Sequence, residues 1–80
     1  MKNVDLIRKF GNGATSGKCG NLKINGNNLI NYSTIIAKRV ENGIMLNNRK
    51  YSRTTSVIQN TIRNECNVVG EYVGEVAYIW

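Results

Sequence analysis

The chain has 80 residues, with 11 Lys and Arg against 5 Asp and Glu and a net charge of +6 at pH 7, so we expect one domain with one compact core. A deep, water-excluding catalytic pocket is difficult to build at this length. Histidine is absent, and Cys19 and Cys66 lack the spacing of metal-binding pairs, which argues against a zinc site and predicts reduced thiols, with Cys66 in the core.

The positive charge is unevenly distributed along the chain. All 11 cations lie in residues 1–63, which contain only two acidic residues, so this body carries 11 − 2 = +9. Residues 64–80 contain three glutamates and no cation, which gives −3. This asymmetry predicts a polyanionic partner for the body.

The first ten residues are apolar at Val4, Leu6, Ile7 and Phe10. Periodicity over so few positions does not separate a helical turn from a short strand. The segment is short and interrupted by charges, so we expect neither a signal peptide nor a membrane span.

Residues 11–20 contain four glycines and are predicted to form a loop. The pair Gly17-Lys18 is followed by Cys19, and the position five before it is Asn12, so the phosphate-binding P-loop motif fails twice. Two interpretations stay open here, a plain connection and a looser anion-binding nest. A nest would use Thr15, Ser16 and Lys18.

The middle of the chain reads as strands joined by tight turns. Leu22 and Ile24 alternate with polar residues, and Asn-rich turns containing Gly26 and Gly43 favour hairpins. The predicted strands are residues 21–25, one long strand over 29–40, a short strand over 44–46 and a brief edge strand over 50–52.

A helix is predicted over residues 56–66. Ile58, Ile62 and Cys66 fall at i, i+4 and i+8, with Val57 and Thr61 beside them. Gln59 is placed on the opposite, polar face. Ser56 followed three residues later by Gln59 fits a capping box, with Thr54 and Thr55 as alternative caps, and Asn67 is predicted to cap the other end.

The start of this helix is the predicted phosphate site. Free N–H groups, hydroxyls and cations at a helix start favour an anion. Arginine suits phosphate oxygens better than lysine because its guanidinium donates forked hydrogen bonds. The predicted ligand-binding residues are Arg49, Lys50, Arg53, Thr54, Thr55, Ser56, Thr15, Ser16 and Lys18.

The acidic, aromatic tail is predicted to end the domain as a strand pair or one interrupted strand. The terminal Trp80 is expected to pack either against the domain's own core or in a partner interface, and Tyr72, Tyr78 and Trp80 are the predicted interface residues. We therefore expect a single domain over 1–80, comprising an N-terminal segment and loop (1–20), strands and helix (21–66) and the C-terminal strand (67–80).

Together these elements predict an α+β fold, a small antiparallel sheet of about four strands with one helix packed on one face. The unpaired edge of so small a sheet is compatible with a homodimer.

Three blocks of the sequence resemble a small uncharacterised domain of bacteriophage and prophage accessory proteins. They are residues 12–17 (NGATSG), 29–37 (LINYSTIIA) and 50–59 (KYSRTTSVIQ). The resemblance covers roughly residues 8–64 and implies a phage-type accessory protein in the cytoplasm of a bacterial host. It implies no activity and no site residues.

The predicted function is non-enzymatic binding of a phosphate-bearing partner. The isolated carboxylates and the lack of histidine leave no evident general base, and no cofactor is expected. Basic residues with Tyr32 and Tyr51 among them favour nucleic acid, because they contact phosphates and stack on bases. Two alternatives are a protein that sequesters a nucleotide immune signal and an inhibitor that binds a bacterial defence complex. Either would interfere with a host process.

Overall fold

The structure, a computed structural model, describes residues 2–74 and has the predicted α+β architecture. Within those residues the chain forms two helices and six strands, where the sequence predicted one helix and about four strands. They are α1 (Asn3–Gly11), β1 (Ser16–Cys19), β2 (Leu22–Asn25), β3 (Asn28–Asn31), β4 (Thr34–Val40), β5 (Gly43–Asn47), α2 (Arg53–Glu65) and β6 (Val68–Tyr72).

The six strands form one mixed sheet in the order β1-β2-β3-β4-β5-β6. Successive strands from β1 to β5 are antiparallel and joined by short turns, whereas β6 is parallel to β5. The expectation of an antiparallel sheet is therefore wrong at its last strand. The reason is α2, which carries the chain back along the sheet so that β6 starts again in the direction of β5.

The N-terminal segment is a helix. Leu6, Ile7 and Phe10 are fully buried and lie on one face of α1, at a spacing that fits a helix. Asp5 lies in the first turn and Arg8 and Lys9 in the last, the arrangement that the helix dipole favours.

Arg39 of β4 fastens the C-terminal end of α1 to the sheet. Its guanidinium donates to the carbonyl oxygen of Phe10 at 2.6 and 3.2 Å and to that of Ala14 at 2.6 Å. It also lies 4.5 Å from the centroid of the Phe10 ring. Phe10 lies in the last turn of α1 and Ala14 just beyond it, so the charge of this arginine is used inside the fold, where the helix ends.

The predicted glycine-rich loop contains strand β1, which pairs with β2 through Ser16 and Asn25 at one end. The glycine inside β1 serves packing, because a Cβ at Gly17 would lie 2.8 Å from Cδ1 of Leu6. The missing side chain therefore lets α1 approach the sheet closely.

The predicted long strand over residues 29–40 is wrong. The chain turns at Tyr32 and Ser33, so that β3 and β4 are two strands of a hairpin. Tyr32 adopts a positive φ of 57°, a conformation usually marked by Gly or Asn in such turns. No glycine occurs at this turn, which explains why the local sequence pattern predicts one continuous strand.

The helix α2 begins earlier than predicted. Ser52 caps it, because its Oγ accepts a hydrogen bond from the N–H of Thr55 at 3.2 Å. Neither the capping box of Ser56 with Gln59 nor capping by Thr54 or Thr55 is formed, and residues 50–52 connect β5 to α2 without forming a strand.

Burial on α2 also differs from the prediction at two positions. Gln59 is buried, because its Nε2 donates to the carbonyl oxygens of Asn47 at 2.6 Å and Arg49 at 2.9 Å. Val57, predicted beside the apolar stripe, is 60% exposed.

Asn67 does not cap the C-terminal end of α2, where Cys66 is the cap residue. The Nδ2 of Asn67 instead donates to the carbonyl oxygen of Asn42 at 3.1 Å.

Both helices pack on the same face of the sheet, α1 against β1, β2 and α2, and α2 against β5. Cys66 is partly buried and packs against this core, and burial raises the pKa of its thiol. The core lies between the two layers and comprises Leu6, Ile7, Phe10, Leu22, Ile24, Leu29, Ile36, Ala37, Ile44, Leu46, Ile58 and Ile62. The other face of the sheet carries no helix of the described chain.

Candidate functional site

The hydroxyl groups at the start of α2 are largely used by the fold. Thr55 is buried, and its Oγ1 accepts hydrogen bonds from Nδ2 of Asn31 and from Oγ of Ser52, both at 3.1 Å. The N–H of Ser56 donates to the carbonyl oxygen of Ser52 at 2.9 Å, as part of the first helical turn. The hydroxyl of Thr55 therefore holds α2 against β3.

The side chain and the backbone carbonyl of Arg49 are likewise hydrogen-bonded within the fold. Its guanidinium donates to the carbonyl oxygen of Gly74 at 3.3 Å, and its own carbonyl oxygen accepts from Gln59. Lys50, Arg53 and Thr54 are exposed. The start of α2 thus presents two exposed cations.

Thr15 and Ser16 lie at the other end of the sheet from the start of α2. The carbonyl oxygen of Thr15 accepts from the N–H of Gly26 at 2.9 Å, beside the pair of Ser16 with Asn25. The start of α2 instead contacts Asn31, at the opposite end of β3. The residues predicted as one cluster are therefore separated.

The remaining predicted cation, Lys18, belongs to the face of the sheet that carries no helix, here called the open face. Side chains alternate across a strand, so the residues between the buried positions share this face. Among its residues are Ser16 and Lys18 of β1, Lys23 and Asn25 of β2, Asn28 and Ile30 of β3, Ile35, Lys38 and Val40 of β4, Met45 of β5, and Gly70 and Tyr72 of β6.

The most informative feature of the open face is a pair of like charges. Lys18 and Lys23 are directly opposite each other in the β1–β2 ladder, and both are exposed. Like charges directly opposite on neighbouring strands destabilise a sheet. Among the strand residues of the described chain, no acidic side chain belongs to this face, since Glu71 of β6 is bonded to Arg63 of α2.

Lys38 extends the positive charge across the sheet. It pairs with Asn28 of β3 and Met45 of β5, and its Nζ lies 5.4 Å from the ring centroid of Tyr72. Half-buried apolar side chains lie beside the lysines, with Ile30 of β3 between Lys23 and Lys38 and Met45 of β5 beyond Lys38. The open face is thus a basic surface with an apolar floor.

Cations elsewhere are partly neutralised. Arg8 pairs with Glu65 at 2.7 Å and Arg63 with Glu71 at 3.1 Å, both on the helix side of the molecule. The hydrogen bond to Glu65 raises the pKa of Arg8, and the hydrogen bond from Arg63 lowers the pKa of Glu71. The uncompensated charge is therefore concentrated on the open face and at the exposed helix-side cations.

Two residues of the open face, Lys23 and Lys38, were missing from the predicted set. Their signal is present in the sequence, because Lys23 alternates with Leu22 and Ile24. Treating residues 16–25 as a hairpin would have placed it opposite Lys18. The glycines in and around β1 favoured a loop over a strand in the sequence.

Of the predicted partner interface, only Tyr72 lies within the described residues, whereas Tyr78 and Trp80 lie outside them. Burial raises the pKa of Tyr72, with a smaller contribution from Tyr51. The buried hydroxyl of Tyr72 has no hydrogen-bond partner among residues 2–74.

Two further observations limit the chemistry of the described chain. Within residues 2–74, cysteine and carboxylate side chains do not gather into a group of three that would hold a metal ion. Neither α1 nor α2 has the length or hydrophobicity that crossing a lipid bilayer requires.

Comparison with known proteins adds no further assignment, since the sequence matches no protein-family model and neither a curated protein nor a solved structure is similar to it. The resemblance to a phage accessory domain stays a prediction.

Proposed function

We propose that this protein is a non-enzymatic, phage-type accessory protein of the bacterial cytoplasm that binds nucleic acid through its open face and interferes with a host process. The observation that carries the proposal is the cross-strand pair of Lys18 and Lys23 on a face whose strand positions, within the described chain, hold no acidic side chain. A phosphate group between two such ammonium groups would convert a repulsion into two attractions.

An edge strand also benefits from lysine because charge discourages pairing with another sheet. That role accounts for one lysine on β1. It does not account for the opposite Lys23 on the interior strand β2, or for Lys38 two strands further along. A backbone of phosphates accounts for all three.

Three phosphate contacts predict a specific salt dependence. Each contact to a single strand contributes a slope of about −0.7 in log affinity against log salt concentration, so three contribute about −2.1. Replacing Lys18 and Lys23 with Gln should flatten the slope by about 1.4 and weaken binding about 25-fold at ~0.1 M salt.

The experiment is a titration of a fluorescein-labelled 20-nucleotide strand, followed by fluorescence anisotropy at several salt concentrations. The double variant Lys18→Gln with Lys23→Gln is compared with Lys2→Gln with Lys9→Gln, which removes the same charge from the helix layer, where both lysines are exposed. We expect the first pair to show the loss and the second to retain the slope of the parent.

A charge reversal separates binding from stability. Lys18→Glu replaces a repulsive cross-strand pair with an attractive one, so the free energy of unfolding should rise by about 0.5 kcal/mol. The same variant should bind the labelled strand more weakly than Lys18→Gln, whereas Lys9→Glu reverses a charge on the helix layer and should bind more tightly than Lys18→Glu.

Equal binding by the two double variants would show that the open face is not the binding surface. If Arg49→Ala with Arg53→Ala then abolished binding, the exposed start of α2 would be the site. A parent protein that binds no nucleic acid at low salt would refute the proposal and favour a protein partner of the aromatic tail.

A further inference from the structure

Tyr72 provides an aromatic ring on the open face. It lies two residues beyond Gly70 on β6, the last strand of the sheet, on the same side as Lys38 and Met45. A Cβ at Gly70 would lie 2.7 Å from Sδ of Met45, so the methionine side chain fills the space that the glycine leaves. Met45 is therefore an apolar side chain of the open face, opposite Gly70, which precedes Tyr72 by two residues.

The side chain of Tyr72 is partly exposed, and its hydroxyl is buried. The ammonium of Lys38, an exposed residue, lies 5.4 Å from the ring centroid. The flexible side chain of Lys38 therefore covers one face of the ring. Its exposed ammonium can leave the ring and bind another partner.

We propose that Tyr72 stacks on a base of the bound nucleic acid while Lys38 moves from the ring to a neighbouring phosphate, so that the open face selects single strands over duplexes. This inference rests on the proposed function. An aromatic ring reaches a base face only where the bases are unstacked from their own helix, as in a single strand. A duplex offers the three lysines its phosphates alone.

The geometry supports a path across the whole sheet. Tyr72 lies on β6 and Lys23 on β2, four strand spacings apart, or about 19 Å. Lys38 lies on β4, between them. One strand of nucleic acid running across the sheet would thus meet Lys18 and Lys23 first, then Lys38, and finally the ring.

The test uses the full chain with labelled dT12 and with a labelled 12-base-pair duplex, both read by fluorescence anisotropy. Tyr72→Leu removes the ring, and Tyr72→Phe keeps the ring while removing only the hydroxyl. For dT12 we expect Tyr72→Leu to lose ~5- to 150-fold in affinity, the range for one base stack. Its affinity for the duplex and both affinities of Tyr72→Phe should stay within about 2-fold of the parent.

Duplex binding by Tyr72→Leu also reports that the variant is folded. If that variant does not fold, the parent itself provides the test, through photo-crosslinking to dT12 that carries 5-iodouridine. An adduct localised to Tyr72 by mass spectrometry is the expected result. Adducts found only at other residues would refute stacking.

The two proposals fail in different ways. A Tyr72→Leu variant that keeps full affinity for dT12, or that weakens strand and duplex equally, overturns the stacking role while leaving the lysine surface intact. A parent that binds neither dT12 nor the duplex at low salt overturns the proposed function itself.

Discussion

The removal of Arg39 should strongly destabilise the fold. Arg39→Met keeps an unbranched apolar stem over the Phe10 ring but removes every hydrogen bond of the guanidinium. Two of these reach Phe10 and one reaches Ala14, with donor–acceptor distances of 2.6–3.2 Å. No other side chain of the described residues donates to these two carbonyls.

The magnitude follows from these contacts. A hydrogen bond from a charged donor contributes about 1.5–3 kcal/mol, but water partly replaces the guanidinium in the variant. We therefore expect a loss of about 3 kcal/mol. A domain of this size has a free energy of unfolding of about 4–12 kcal/mol, so the melting temperature should fall by about 12–24 °C.

The assay is urea unfolding followed by far-ultraviolet circular dichroism, supported by thermal melts. Lys23→Met is the matched control, since it places the same side chain on an exposed strand position and should change stability by less than about 0.5 kcal/mol. Arg39→Lys should fall between the two, because one ammonium keeps the charge near the end of α1 without bridging both carbonyls. An Arg39→Met variant as stable as the control would show that water satisfies the end of α1 equally well.

Three further measurements test individual contacts of the fold. Ser52→Ala should lower the free energy of unfolding by about 1 kcal/mol in urea titrations, because it removes the true cap of α2, whereas Ser56→Ala should change it by less than about 0.5 kcal/mol. Asn47→Ala should lower the free energy of unfolding by about 2–4 kcal/mol in the same titrations. The buried amide donates to the carbonyl oxygen of residue 35 at 3.0 Å and accepts from the N–H groups of residues 49 and 74. A loss of less than about 1 kcal/mol would contradict this role. Arg63 lowers the pKa of Glu71, so the pair stabilises the fold above the unfolded pKa of that carboxyl, and this contribution is lost as pH falls through the folded pKa. Between pH 7 and pH 2 the melting temperature of Arg63→Gln should therefore decrease less than that of the parent. Identical pH profiles of the two proteins would contradict the assignment.

Local patterns in the sequence were sufficient for several elements. Ile58 and Ile62 mark the buried stripe of α2, and alternation at Leu22 and Ile24 marks β2. The turn between β2 and β3 contains Gly26 with a positive φ of 63°, which is the usual signal of a tight hairpin. In each case the deciding interaction is between residues close in sequence, so the pattern contains it.

Elements that depend on distant partners were not visible in the same way. Residues 29–40 read as one strand, because the turn at Tyr32 carries no glycine and its conformation depends on pairing with the neighbouring strands. Gln59 appears to be a surface residue of a helix until the carbonyls of Asn47 and Arg49 are placed beside it. Polar residues become buried when tertiary partners satisfy them.

The net charge of +6 was evident from composition, but its arrangement was decided by the tertiary structure. The guanidinium of Arg39 is hydrogen-bonded inside the fold, and the side chain of Arg49 donates to the carbonyl oxygen of Gly74. Lys18, Lys23 and Lys38 come from three different strands and share one face only because of the strand register. A shift of one residue in that register would move a strand's side chains to the other face, so the basic surface is a property of strand pairing, while the number of its charges is a property of the sequence.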